Sequence, residues 1–217
     1  MSYDAVLFDN DGVLVEPATV STLREAATTT FAEFGADPDP DHVDAICHTV
    51  TPDDLDRVCT AYDLDLAEFW KVRDGAVSEA QLRELRAGRT TTYDDVDALE
   101  SFERPLGIVS SNQHATIEFM LDHFDLGRHF ETYYGRPPTI EAFHRKKPEP
   151  YFLERALADL GVEDALFVGD SESDVLAADN AGLDSAFIRR PHRADYTLSV
   201  EPTYEIESLP EILPLLG

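Results

Sequence analysis

Short apolar runs recur along this chain, each separated from the next by a stretch with helical spacing. Ala5–Phe8, Leu106–Val109, Ala165–Val168 and Ser185–Ile188 have the length of buried strands, with weaker strand signal at Thr132–Tyr134 and Tyr204–Ile206. Helical periodicity covers Tyr93–Phe102, Ala115–Phe124, Pro150–Leu160 and Asp174–Ala181, and an apolar turn closes the chain. Strands alternating with helices of this length predict an α/β fold, a doubly wound parallel sheet covered on both faces. In such sheets ligands gather at the carboxyl ends of the strands.

One region departs from this alternation. From about Val20 to Arg86 the pattern is helical throughout, interrupted at Gly35–Pro40 and at Thr51-Pro52. Leu64, Phe69, Trp70, Val72, Val77, Leu82 and Leu85 recur roughly at helical spacing, with a break expected near Gly75 and with Trp70 expected in a core. Hydrophobic residues make up 43% of the 217 residues, enough for a sizeable core. No apolar run reaches the roughly 18 residues that a membrane span needs. The start, Met-Ser-Tyr-Asp, has no basic segment leading into an apolar one, so a cytoplasmic location is expected. Cys47 and Cys59 fit no zinc spacing and are expected to pack as small apolar residues.

The chain carries 44 acids against 17 bases, a net charge of −27, and its only lysines are Lys71, Lys146 and Lys147. That balance excludes a nucleic-acid-binding footprint. It resembles the composition of proteins from extreme halophiles: at about 1 M salt the Debye length is near 3 Å and surface acids no longer repel one another strongly. At low salt the same charge is expected to loosen the compact state.

Polar clusters stand at three of the strand ends. Asp9-Asn10-Asp11-Gly12 follows the first run, Ser110-Ser111-Asn112 the second, and Gly169-Asp170-Ser171-Glu172-Ser173-Asp174 the run Ala165–Val168. Asp9 and Asp11, two residues apart, point to the same side of an extended chain. Carboxylates held so close need a shared proton or a cation. Arg145-Lys146-Lys147-Pro148 is a dense basic spot in a lysine-poor chain. On the residues alone Asp11 is also a turn former, Ser111 or Asn112 a helix cap, and Ser171 with Asp174 a capping pair.

Taken in order, these clusters, with Gly169-Asp-Ser-x-x-Asp-Val-x-x-Ala-Ala-x-x-Ala-Gly182, resemble the haloacid-dehalogenase-like superfamily, most closely its phosphoglycolate-phosphatase-like members with a helical cap. The resemblance implies a catalytic core formed by residues 1–16 and 87–217, with a helical cap at 17–86. It implies an Mg2+-dependent phosphatase that acts on a small phosphorylated metabolite through an aspartyl-phosphate. Asp9 then matches the nucleophile and a metal ligand. Asp11 matches the general acid/base, with its backbone carbonyl on the metal. Ser110 matches the hydroxyl that binds the phosphoryl group, with Ser111 and Asn112 as neighbouring phosphate-binding candidates. Lys147 matches the lysine that contacts both phosphate and nucleophile. Asp170 matches a metal ligand, and Asp174 an outer acid that orients the lysine or metal-bound water.

Two departures stand out. Val13 lacks the hydroxyl that many relatives carry, and Glu16-Pro17 replaces the Asp-Ser-x-Pro that often follows the first motif. None of the seven histidines falls on a motif position. His114 and His144, which lie near motifs, read as ordinary residues. A phosphomutase would use the same residues. Asp11 argues against a dehalogenase, which needs no protonated leaving group. A non-catalytic binding protein on this fold is the alternative from another class. Oligomeric state is not legible.

Overall fold

Ala5–Phe8 forms β1, and all four of its residues are fully buried. A strand that is apolar on both faces belongs in the middle of a parallel sheet, and β1 lies there. The computed structural model describes residues 3–217. Its sheet has six strands, the others being β2 (Leu106–Gln113), β3 (Thr132–Arg136), β4 (Ala165–Gly169), β5 (Asp184–Ile188) and β6 (Tyr204–Ile206). The order is β3-β2-β1-β4-β5-β6, with every pairing parallel. The chain moves outward from β1 through β2 to β3, then returns to the other side of β1 and moves outward again. This reversal opens a crevice at the carboxyl ends of β1, β2 and β4, where three of the polar clusters stand.

The chain divides into two compact units. One comprises Met1–Pro17, Thr91–Arg136 and Arg145–Gly217 and contains the sheet. The other, Ala18–Thr90 with Pro137–His144, is helical. Its helices are α1 (Val20–Glu33), α2 (Pro40–Cys47), α3 (Pro52–Ala61), α4 (Leu66–Arg86) and the short Ile140–His144. The breaks follow local chemistry. The Thr19 side chain accepts from the Thr22 amide at the start of α1, and Pro40 sits in the first turn of α2. Thr51 and Asp54 form a reciprocal capping box before α3. The Asp65 side chain accepts from the Glu68 amide at the start of α4. Phe31, Ile46, Val58, Phe69 and Trp70 form the core of this unit, and Phe143 joins it with its ring 4.3 Å from that of Trp70. Cys47 and Cys59 are free and buried.

In the sheet unit, α5 (His114–His123), α7 (Tyr151–Leu160) and α8 (Glu172–Ala181) flank the strands; Ile140–His144 is α6 in chain order. Three expectations are corrected. α4 runs unbroken through Gly75 for 21 residues; the roughly 1 kcal/mol that glycine costs inside a helix is too little to break a helix packed along its length. Tyr93–Phe102 holds only a 3-10 segment, Val96–Ser101. Its first residues are taken by extended pairing: Thr92 bridges Val15, and the Tyr93 amide donates to Leu14 O at 3.1 Å. Finally, Ser110-Ser111-Asn112 lies in the last part of β2, beyond a register shift after Val109, and not in a loop behind it.

Among the described residues no helix is long and apolar enough to cross a membrane. The amino-terminal edge of the sheet is tied by Tyr3, which is buried and donates to Asp184 Oδ2 at 2.6 Å. Removing that hydroxyl leaves the Asp184 carboxylate without its phenol donor. Tyr3→Phe is expected to lower the unfolding free energy by about 1–2 kcal/mol, measured by urea denaturation at high salt; an unchanged midpoint would show that the bond contributes nothing.

Candidate active site

Asp9 follows β1 directly, and its amide donates to Val168 O of β4 at 2.8 Å, which fixes the exit of the strand. Its carboxylate Oδ2 lies 3.0 Å from Lys147 Nζ. The same ammonium is 2.6 Å from Asp174 Oδ1. The other oxygen of Asp174 accepts from Ser171 N at 3.0 Å and from Ser171 Oγ at 2.6 Å, which caps α8. Asp174 therefore serves both as helix cap and as counter-ion, two of the alternatives open in the sequence. Gly169 makes this approach possible, since a Cβ there would lie 2.2 Å from Asp174 Cβ.

Asp170 ends β4. Carboxylate oxygens of Asp9, Asp170 and Asp174 lie within 4.8 Å of one another, and all three side chains are buried. The Asp170 Oδ2 is held by His192 Nε2 at 2.7 Å and Arg193 Nε at 2.8 Å. Gly12 lies against this group with φ +82°; a Cβ there would stand 2.5 Å from Asp170 Oδ2 and 3.0 Å from His192 Nε2. Both the left-handed backbone and the space demand glycine.

The second carboxylate of the first motif has a different partner. Asn112 Nδ2 donates to Asp11 Oδ2 at 3.1 Å and lies 3.3 Å from Oδ1. Asn112 N donates to Ser110 Oγ at 3.1 Å, so the irregular end of β2 is braced by a side chain. Ser110 is buried there, while the Ser111 carbonyl accepts from Arg136 Nε at 2.8 Å. Asp9, Asp170, Asp174 and Lys147 thus form one group, and Asn112 links Ser110 to Asp11.

Burial pushes the Asp9 carboxyl well above its ordinary range; Lys147 works against this, and Asp174, Asp170 and Asp11 add to it. Asp11 is also raised, by burial first, with Asn112 and Asn10 opposing. For Lys147, burial works to lower the value, but Asp174 and Asp9 outweigh it and hold the ammonium charged. For Asp170, burial works to raise the value, but the bonds from His192 and Arg193 win and hold the carboxyl below its usual range. Three buried carboxylates outnumber the two cations on them, Lys147 and Arg193, and leave negative charge uncompensated, in an all-oxygen donor set suited to a hard divalent cation. The residues fit such an ion.

His192 and Arg193 stand outside the motif clusters of the sequence. Their signal is Arg189-Arg190-Pro191-His192-Arg193, four basic side chains in five residues directly after β5 in a chain with only 17 lysines and arginines. Arg190 anchors that segment. It forks onto Asp95 at 2.8 Å through each terminal nitrogen and donates to Val13 O at 2.6 Å. Val13 thus contributes through its carbonyl. Glu16, the other departure in that region, accepts from Thr91 Oγ1 at 3.1 Å, and its amide donates to Thr91 O at 2.9 Å.

The profile of haloacid dehalogenase-like hydrolases matches residues 6–188. The chain belongs to this family. It is a hydrolase on a parallel six-stranded sheet with flanking helices, as its motifs implied. The chain is 27% identical over 225 residues to pyrophosphatase PpaX of Anoxybacillus flavithermus, covering 100% of this chain and 98% of that one. It is 29% identical over 229 residues to phosphoglycolate phosphatase of Neisseria meningitidis, covering 96% and 91%. The fold matches the crystal structure of CbbY from Rhodobacter sphaeroides in complex with phosphate, with a TM-score of 0.70 at 19% identity over 97% of this chain and 96% of that one.

Removing the ammonium from this cluster leaves Asp9 and Asp174 buried without a counter-charge. Lys147→Ala is expected to cost about 3–5 kcal/mol of stability in chelator-treated protein, measured by chemical denaturation. A loss below about 1 kcal/mol would mean that the two acids are protonated and the pair carries little charge.

Proposed function

We propose that this hydrolase is an Mg2+-dependent phosphatase that hydrolyses a small phosphomonoester through a phosphorylated Asp9. The observation that carries the reading is the convergence of Asp9, Asp170 and Asp174 around Lys147, beside Asp11 with its separate amide partner. Asp9, Asp170 and the Asp11 backbone carbonyl would hold the cation, with Asp174 outside it. The double engagement of Asp174 by Ser171 and Lys147 supports that outer position. A bound Mg2+ supplies positive charge that lowers the Asp9 pKa and offsets the charge of the phosphate.

The steps follow from the residues. Lys147 binds a phosphoryl oxygen and favours the ionised form of Asp9, against the burial that raises its pKa. The Ser110 hydroxyl and amides at the end of β2 bind the other oxygens. An Asp9 oxygen forms a bond to phosphorus as the bond to the leaving oxygen breaks, and protonated Asp11 gives that oxygen its proton. Asp11, now a carboxylate, takes a proton from water as that water bonds to phosphorus and the bond between phosphorus and the Asp9 oxygen breaks, returning Asp9 as a carboxylate. Inorganic phosphate leaves, and both aspartates return to their starting forms. The raised pKa of Asp11 suits the first of its two roles. The names of the two curated relatives favour hydrolysis over the mutase alternative and point to a compact, highly charged substrate such as pyrophosphate or phosphoglycolate.

Asp9→Asn is expected to abolish Mg2+-dependent release of phosphate from a panel of small phosphate esters and pyrophosphate at high salt. Retained turnover would exclude the covalent route. Chelation of wild-type protein is expected to stop turnover, and Mg2+ to restore it. An enzyme of net charge −27 repels an anionic substrate. Activity is therefore expected to rise from low salt to about 2 M KCl, where screening is nearly complete; a steady fall over that range would contradict the halophilic reading.

A further inference from the structure

We infer that His192, oriented by Tyr93, is a positioning residue for Asp170, occupying one carboxylate oxygen so that the other is left for the cation. A carboxylate only accepts hydrogen bonds, so the 2.7 Å contact places the proton on His192 Nε2. In the neutral ring Nδ1 is then an acceptor, and the Tyr93 hydroxyl lies 3.0 Å from it. The run Tyr93 O–H to Nδ1, Nε2–H to Asp170 fixes both the tautomer and the ring plane. This is the arrangement by which outer groups orient a metal ligand, here with a carboxylate as the ligand and a histidine behind it.

Tyr93 is itself held at three points. Its amide donates to Leu14 O at 3.1 Å, its neighbour Thr92 bridges Val15, and the Arg190 guanidinium lies 4.1 Å over its ring. Arg190 in turn grips Val13 O and Asp95, and Asp95 accepts from Leu209 N at 2.8 Å. The turn that carries Asp9 and Asp11 and the segment that carries His192 are thus braced against one another. Gly12 closes the gap, since any Cβ there would meet both Asp170 and His192. Arg193 adds a second donor to the same oxygen, so Oδ2 is filled twice over. None of the six parts of this brace, Tyr93, Asp95, Arg190, His192, Arg193 and Gly12, falls among the nucleophile, acid/base, phosphate-binding or metal-ligand roles given above.

Mg2+ demands nearly ideal octahedral geometry, whereas Ca2+ accepts variable geometry and more ligands. A loss of orientation at Asp170 therefore harms Mg2+ more than Ca2+, while a general loosening of the fold harms both alike. His192 is the residue to change, because replacing the cationic Arg193 would also alter the charge at the site.

The inference rests on the divalent-metal reading, and the experiment separates the two. Mg2+ and Ca2+ are titrated calorimetrically into chelator-treated, dialysed full-length protein at high salt, without substrate. His192→Ala is expected to raise the Mg2+ Kd by about 10–100-fold, with a smaller change for Ca2+. His192→Gln, which restores an N–H donor, is expected to recover part of the loss. Tyr93→Phe is expected to shift Mg2+ in the same direction by less, and it decides the matter if His192→Ala does not fold. An unchanged or lowered Mg2+ Kd in the folded variants, or equal weakening of both ions, overturns the positioning role. Absence of Mg2+ binding by folded wild-type protein overturns the metal reading itself.

Discussion

The ammonium of Lys147 sits between two buried carboxylates, and the carboxyl end of the sheet depends on it. At 3.0 Å from Asp9, its attraction is roughly 5 kcal/mol at an effective dielectric constant of about 20. That offsets part of the cost of burying one acid, but three acids converge there. The remaining imbalance explains why burial still prevails at Asp9 and raises its pKa. The sheet can bring these acids together only because β1 and β4 are neighbours, with Phe8 opposite Val168, so that Asp9 and Asp170 leave the sheet near the same level.

Each acid of the site has its own partner, and the partners differ in kind. Asp9 has a lysine, Asp174 a lysine and a serine, Asp170 a histidine and an arginine, and Asp11 an asparagine amide. A neutral amide leaves Asp11 the carboxyl with no cation on it, and its pKa is raised. The hydrogen bonds from His192 and the Arg193 guanidinium hold Asp170 ionised. Asp11 and Asp170, identical side chains, are thus separated into a proton carrier and an anion by what stands next to them.

Much of this was legible because it is local. β1 falls on the predicted residues, since a buried run has sharp edges where polarity returns, and the short, half-exposed β6 also falls where its weaker signal lay. The breaks expected at Gly35–Pro40 and Thr51-Pro52 lie where α2 and α3 begin, and the helical stretch opens at Val20 as expected. The break expected at Gly75 failed because packing along α4 outweighs one residue's propensity. The helix expected at Tyr93 failed because Thr92 and Tyr93 pair with Leu14 and Val15, some eighty residues earlier, a relation that periodicity cannot carry. The acids and Lys147 were visible through motif order. His192 was not, because its significance arises only when the turn after β5 meets the end of β4. The role of Asn112 was legible as polarity but not as a partner of Asp11, because the two are 101 residues apart.

The helical unit leaves the sheet unit after Pro17 and ends at Thr90, but it also takes in Pro137–His144, whose Phe143 lies in its core. Lys147 stands only three residues beyond His144. The chain that delivers the lysine to the acids is therefore covalently rooted in the other unit. Cutting out Ala18–Thr90 would strip the partners from Phe143 and free the near end of the segment leading to Lys147. For anyone swapping or trimming such domains, this helical insert is not a detachable module, and a graft that exchanges it must carry Pro137–His144 as well.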